Sequence, residues 1–335
     1  MQLRAMKCTN CGAALPPRSR WSVIDCSYCH TRLVLDGSSL VRRADYMEAL
    51  RSVVERAESS GSVSIGGALY RLHGRLGRGE SSDVFLAERL GPLRERVVLK
   101  IQRADDDADM LRREHETLGA LSRSEAQGTP YFSALFPQVV AFGPVETRPA
   151  KPLALVHRWR SGFVETLADL ASAFPEGLDA RHAVWILGRI LEVAGWVHQS
   201  GWVHGAILPQ HALINARDHG VMLVGWSCAV RAGEPLPAVS SADEDFFTPE
   251  AARGDGVSAF TDLVMAARCA AYALTGDPRR LGAAVPRPLV ELLEPYVAGD
   301  ASLSASGDAR GFKDALSRAA EAAFGPPKFV ELSRG

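Results

Sequence analysis

Hydrophobic and polar residues take turns along "YRLHGRLGRGESSDVFLAERL", residues 70–90, and again along "RERVVLKIQR" and "PLALVHRW". That two-residue period is the mark of half-buried β-strands, and a glycine-rich turn sits in the middle of the first stretch. Between the second and third stretches "ADMLRREHETLGALS", residues 108–122, predicts a helix. After residue 165 the pattern is mostly helical, with strong segments at 179–199, 258–275 and 310–323. A small β-rich part followed by a larger helical part predicts an α+β fold in two lobes, placed at 63–160 and 161–325, with a tail at 326–335.

Ahead of the lobes, "RRADYMEALRSVVERAE" carries Tyr46, Leu50, Val53 and Val54 at helical spacing, which predicts a connecting helix over 42–58 within a linker at 39–62. Earlier still, "RWSVID" and "TRLVLD" predict two short strands among four clustered cysteines. Cys8 and Cys11 are two residues apart in "CTNC", Cys26 and Cys29 repeat the spacing in "CSYC", and fourteen residues separate the pairs. Each C-x-x-C can bend into a turn that aims two thiolates at one ion. Two such turns complete a tetrahedral S4 site, which zinc fills well. Gly12, directly after Cys11, lets the backbone turn sharply.

The alternatives are two disulfides, a redox C-x-x-C or an iron–sulfur site. A redox pair calls for a thioredoxin-like βαβ context that the pattern lacks. Residues 1–38 resemble a zinc ribbon, in which a structural zinc would supply much of the folding free energy of so small a module. The two remaining cysteines, Cys228 and Cys269, are expected to be small buried residues.

Composition adds exclusions. Of 335 residues, 47% are apolar and 23% charged, as in ordinary globular chains. The net charge of -1 gives no global field favouring nucleic acid or an anionic membrane. No run approaches the ~20 apolar residues of a membrane span. "MQLRAMKCTNCG" lacks the apolar core of a signal peptide, so a cytoplasmic protein is expected. The abundance of Ala, Arg and Gly suggests a GC-rich bacterial genome. "PPRSRW" offers little basic surface, so the ribbon is expected to dock a protein rather than read nucleic acid.

Over residues 63–325 several motifs, in order, resemble those of the protein kinases. "LGRGESSDVFLA" is similar to the glycine-rich loop G-x-G-x-x-G-x-V, with Gly77, Gly79 and Val84 matching and Ser82 in place of the third glycine. "VVLK" resembles V-A-I-K and makes Lys100 the strand lysine that would hold the nucleotide's phosphates. "REHETL" resembles the helix carrying its glutamate partner, with Glu114 fitting best and Glu116 as the alternative. "VHGAILPQHALIN" resembles the catalytic loop H-R-D-L-x-x-x-N. "VMLVGWSCAV" resembles the strand and turn of D-F-G, and "FFTPEAARG" the A-P-E end of the activation segment. "FTDLVMAARCAAYALTGD" resembles the central helix of the large lobe, where Asp262 would tie down the catalytic-loop backbone. His157 and Trp159 fall near the expected hinge.

Set against those motifs, the chemical residues are missing. Kinases use an aspartate to accept the substrate proton, an asparagine for one Mg²⁺ and the D-F-G aspartate for the bridging metals. Here Ala206 stands in place of the base, Leu208 in place of the phosphate-facing lysine, His211 in place of the asparagine and Gly225 in place of the D-F-G aspartate. Packing positions such as His204, Pro209, Pro249 and Asp262 are kept, and Trp226 keeps an aromatic ring after Gly225. The resemblance therefore implies a pseudokinase, acting as a regulatory or interaction scaffold with a protein partner.

Gly77, Gly79, Val84, Lys100 and Glu114 are the residues that would hold a nucleotide. ATP is expected to bind weakly or without metal, and Mg²⁺ is not expected to bind. Two alternatives stand beside this. One is an atypical ATP-dependent serine/threonine kinase or nucleotidyl transferase drawing metal ligands from Asp218, Asp243 or Asp245. The other is a nucleic-acid-binding regulator working through the ribbon.

Overall fold

A computed structural model describes residues 61–332 except 92, 105–106, 149 and 304–307, and before residue 61 it describes five short strands. The chain divides into two units, Met1–Ala57 and Glu58–Gly335. In the first, β1 (Ala5–Lys7) pairs antiparallel with β2 (Ala14–Leu15) and with β5 (Leu40–Val41). A second antiparallel pair joins β3 (Val23–Asp25) to β4 (Arg32–Val34), within the two stretches expected as strands. Cys8, Cys11, Cys26 and Cys29, and the helix expected over 42–58, lie outside the described residues.

The second unit opens with a six-stranded antiparallel sheet: β6 (Ser62–Ile65), β7 (Ala68–Arg78), β8 (Ser82–Leu90), β9 (Glu95–Gln102), β10 (Val139–Pro144) and β11 (Leu153–Arg158). The strand order is β10-β11-β9-β8-β7-β6. Gly66 and Gly67 make the β6–β7 turn at φ +57 and +73, the left-handed backbone that a tight hairpin needs and glycine supplies without strain. Alternation along β9 buries Val97, Leu99 and Ile101 in the core of the sheet. Lys100, on the other face, meets helix α1 (Ala108–Ser122) through Glu114. That helix buries one stripe, Leu111, Glu114, Leu118 and Leu121, and the carboxylate is the anomaly in it. Each fully buried leucine contributes roughly 1.5–3 kcal/mol, so the stripe holds the helix down in spite of the buried charge.

Between α1 and β10 lies the short helix α2 (Thr129–Phe132), and the larger lobe contains α3 (Leu167–Ala173), α4 (Ala180–Gln199), α5 (Pro249–Arg253), α6 (Ala259–Thr275), α7 (Arg287–Ala298) and α8 (Ala309–Phe324). Short strands lie just before α3 and between α4 and α5. β12 (Glu165–Thr166), β14 (Ala212–Asn215) and β15 (Gly220–Leu223) form one sheet, and β13 (Trp202–Val203) pairs with β16 (Val230–Arg231). In α6 every residue from Phe260 to Ala271 is buried, so this helix is the centre of the lobe.

Its one buried guanidinium, Arg268, donates to the Val297 carbonyl at 3.0 Å and the Phe247 carbonyl at 2.7 Å. Burial pushes the Arg268 pKa down to about 10. Helix starts are capped by side chains of Thr166, Asp179, Thr248 and Asp308, each accepting from the backbone N–H two or three residues further on. Cys269 is fully buried, whereas Cys228, expected to be buried, is partly exposed in a turn where its thiol faces the Ala238 carbonyl. Among the described residues no helix is long and apolar enough to cross a membrane.

Candidate functional site

After Val203 the chain enters a buried loop, His204 to Pro209. Asp262, on the central helix α6 and fully buried, holds its start. Its two oxygens accept the backbone N–H groups of His204 at 2.8 Å and Gly205 at 2.9 Å. His198 of α4 lies 2.9 Å from the same carboxylate. Burial pushes the Asp262 pKa up, but the bond and charge of His198 pull it further down, and the net shift is downward. Gly205 has φ +67, and a Cβ there would run into the Leu236 side chain, so the arginine common at this position has no room.

The His204 ring packs edge-on against Trp226 at 4.4 Å between centroids, and Nδ1 accepts the Ala206 N–H. Burial holds its pKa near 4, so the imidazole is neutral at neutral pH. Trp226 is fully buried, donates to the Leu223 carbonyl and meets Phe136 edge-to-face.

In the small lobe, Lys100 and Glu114 form an ion pair. Val84 of β8 is the strand partner of Lys100 on β9. Burial pushes the Glu114 carboxyl up, yet Lys100 first and then His157 pull it lower, leaving it ionised. His157 at the end of β11 lies 3.9 Å from the second Glu114 oxygen, and burial drives its pKa down to about 4. The glycine-rich turn is closed on itself, for the Gly79 N–H that could face a phosphate donates to the Ser82 carbonyl at 2.8 Å. Arg103 donates to the Gly79 and Glu80 carbonyls, and the Ser240 hydroxyl donates to the Glu80 carboxylate. Gly77 lies at an irregularity in the β7–β8 pairing.

Arg103, Arg113 and Leu236 had no signal in the sequence. Arg113 reaches from α1 to the Ser227 and Ala229 carbonyls and so joins the two lobes beside the Lys100–Glu114 pair.

No family model matches the chain. Over 224 residues it is 30% identical to the serine/threonine-protein kinase PknB of Mycobacterium tuberculosis, and over 227 residues 27% identical to that of Mycobacterium leprae. These alignments cover 62% and 64% of this chain, and the chain spans 33% of either curated relative, about a third of its length. The solved PknI kinase domain of Mycobacterium tuberculosis matches with a TM-score of 0.55 at 18% identity, covering 78% of this chain and 100% of that one. The structure of vaccinia related kinase 3 matches with a TM-score of 0.57 at 16% identity, covering 82% and 96%.

The chain has a protein kinase-like fold.

In protein kinases magnesium and the reacting groups meet where the catalytic loop faces D-F-G, positions that the order of the motifs aligns with Ala206, His211 and Gly225. The residues present do not fit magnesium. Gly225 has φ +81, and a Cβ there would stand 2.6 Å from His211 Nδ1. His211 Nδ1 in turn donates to the Ala206 carbonyl at 2.8 Å, and burial lowers its pKa. A neutral ring engaged in this way fills the space a carboxylate would need. Leu208 is fully buried and offers no charge to a phosphate. Among the described residues no group of three or more His, Cys, Asp or Glu side chains is arranged to hold a metal ion. Asp218 is taken up by Asn215 and Arg217, Asp243 accepts from Gln210, and Asp245 accepts from Arg279.

Proposed function

We propose that this protein is a pseudokinase, a kinase-like fold used as a regulatory scaffold rather than for phosphoryl transfer. The observation that carries this reading is the His211 ring seated against Gly225 and bonded to the Ala206 carbonyl. Transfer needs a proton acceptor and cations on the developing phosphate charge, and their loss removes several kcal/mol of transition-state stabilisation. In this reading the Lys100–Glu114 pair braces the small lobe, and any ATP binds without magnesium. Residues 1–38 are a zinc ribbon in which Cys8, Cys11, Cys26 and Cys29 hold the ion, and the ribbon is the dock for a protein partner. The antiparallel strands beside the cysteine pairs support that part.

Phosphotransfer from radiolabelled ATP with Mg²⁺ or Mn²⁺ tests the reading. Incorporation should equal that of a Lys100→Ala control. Incorporation that the control abolishes would overturn it, and so would a rise in melting temperature with ATP that depends on magnesium. Zinc in the purified chain, lost on Cys8→Ser and Cys26→Ser together, checks the ribbon.

A further inference from the structure

We propose that a pocket at the end of β11, lined by none of Gly77, Gly79, Val84, Lys100 or Glu114, binds a small organic anion with an apolar body. The pocket has a volume of about 200 Å³. Phe136, Pro137 and Met222 form its apolar side, and Gln138, Arg158 and Arg160 line the rest. The framework is fixed, because the Arg158 N–H donates to the Gln138 carbonyl at 2.9 Å and Phe136 is locked between Trp196 and Trp226.

The two arginines differ. Arg158 has a counter-charge, with its Nε 3.5 Å from Glu95. Arg160 is half-buried and, among the described residues, has neither a hydrogen bond nor an ion pair; its guanidinium stands 5.4 Å from the Phe163 ring centroid. Burial lowers its pKa, as expected of a cation held without a partner. A guanidinium recognises a carboxylate through two parallel N–H···O bonds, and in a partly desolvated site that pairing is stronger than in water.

Size and charge select the ligand. An apolar cavity of about 150 Å³ is enough for benzene, so this pocket takes a six-carbon chain or a single ring. One free cation matches one negative charge. Inorganic phosphate would bring a second charge and no apolar surface for Phe136 and Met222. The ligand class is therefore a monocarboxylate such as a medium-chain or aromatic acid. Nothing in this depends on whether the cleft is catalytic.

Calorimetric titration of the full chain with hexanoate, hexanol and inorganic phosphate tests the site. Hexanoate should saturate, hexanol should bind at least ten-fold more weakly, and phosphate should give no heat. Arg160→Gln should weaken hexanoate to the level of hexanol and leave hexanol unchanged. Met222→Trp, which fills the pocket, should abolish binding of both while far-UV circular dichroism and a cooperative urea transition are retained. Excess ATP should leave hexanoate affinity unchanged. The proposal is overturned by absence of saturable hexanoate binding, by equal affinity in Arg160→Gln, by retained binding in Met222→Trp, or by displacement with ATP.

Discussion

The imidazole of His211 occupies the place where a side chain on Gly225 would begin, with Nδ1 2.6 Å from an added Cβ. Gly225 cannot therefore gain a side chain while the His211 ring stays where it is. Gly225→Asp should cost about 2–4 kcal/mol, from a β-carbon on left-handed backbone and from overlap with the ring. Adding His211→Asn should recover the overlap part. Urea unfolding of the two variants measures this, and the single variant should gain no magnesium-dependent thermal shift with ATP.

Glu114 is buried to 1% exposure, and Lys100 is the cation bound to it. Lys100→Met strands that charge in an apolar stripe and should destabilise the chain by about 3–5 kcal/mol. Lys100→Met with Glu114→Leu should regain most of the loss, which a double-mutant cycle reads as coupling. Glu116→Gln, on the exposed side of the same helix, should stay within about 0.5 kcal/mol of the parent.

Two buried histidines contribute most visibly to the response to acid, with His211 and His182 lowered in the same direction by burial. His157 and His204 both have pKa values near 4 in the folded chain against an ordinary 6.5, because burial disfavours their charged forms. Between pH 6.5 and 4 the unfolded chain binds more protons, so stability is full above 6.5 and is lost as pH falls towards 4. The loss approaches roughly 3 kcal/mol per histidine. Glu114 and Asp262 are lowered carboxylates and withdraw stability only in stronger acid, below their unfolded values. Urea midpoints from pH 7.5 to 4 should show the slope, and His157→Phe should reduce it by about one proton.

Removing the anchor under the loop has a local signature. Asp262→Asn keeps one acceptor oxygen and loses the charge facing His198, at an expected cost of about 2–3 kcal/mol; Asp262→Ala should cost about 4 or more. In the asparagine variant the amide of His204 or of Gly205 should lose its protection from hydrogen exchange before the rest of the lobe does.

Much of the framework was legible in the chain. The predicted helix at 108–122 coincides with α1, and segments 179–199, 258–275 and 310–323 meet Ala180–Gln199, Ala259–Thr275 and Ala309–Phe324 within one residue at either end. These segments have strong helical periods, and Asp179, Ser258 and Asp308 mark their starts. Helix α7 was hidden, since Pro288 and Pro295 in "RPLVELLEPYVA" look like breakers. The first sits in the opening turn, where no N–H is needed, and the second falls in the last turn.

The pairing of Lys100 with Glu114 and the hold of Asp262 on the loop backbone were legible in the order of the motifs. The ring of His211 against Gly225, the reach of Arg113 across the lobes and the solitary guanidinium of Arg160 were not. Each depends on residues far apart in the chain being brought together, which neither periodicity nor spacing records.

Asp262 touches the loop only through main-chain amides, those of His204 and Gly205. A segment suspended by its peptide groups keeps its path whatever it displays. The two anchoring bonds themselves are therefore indifferent to the side chains at 206, 208 and 211.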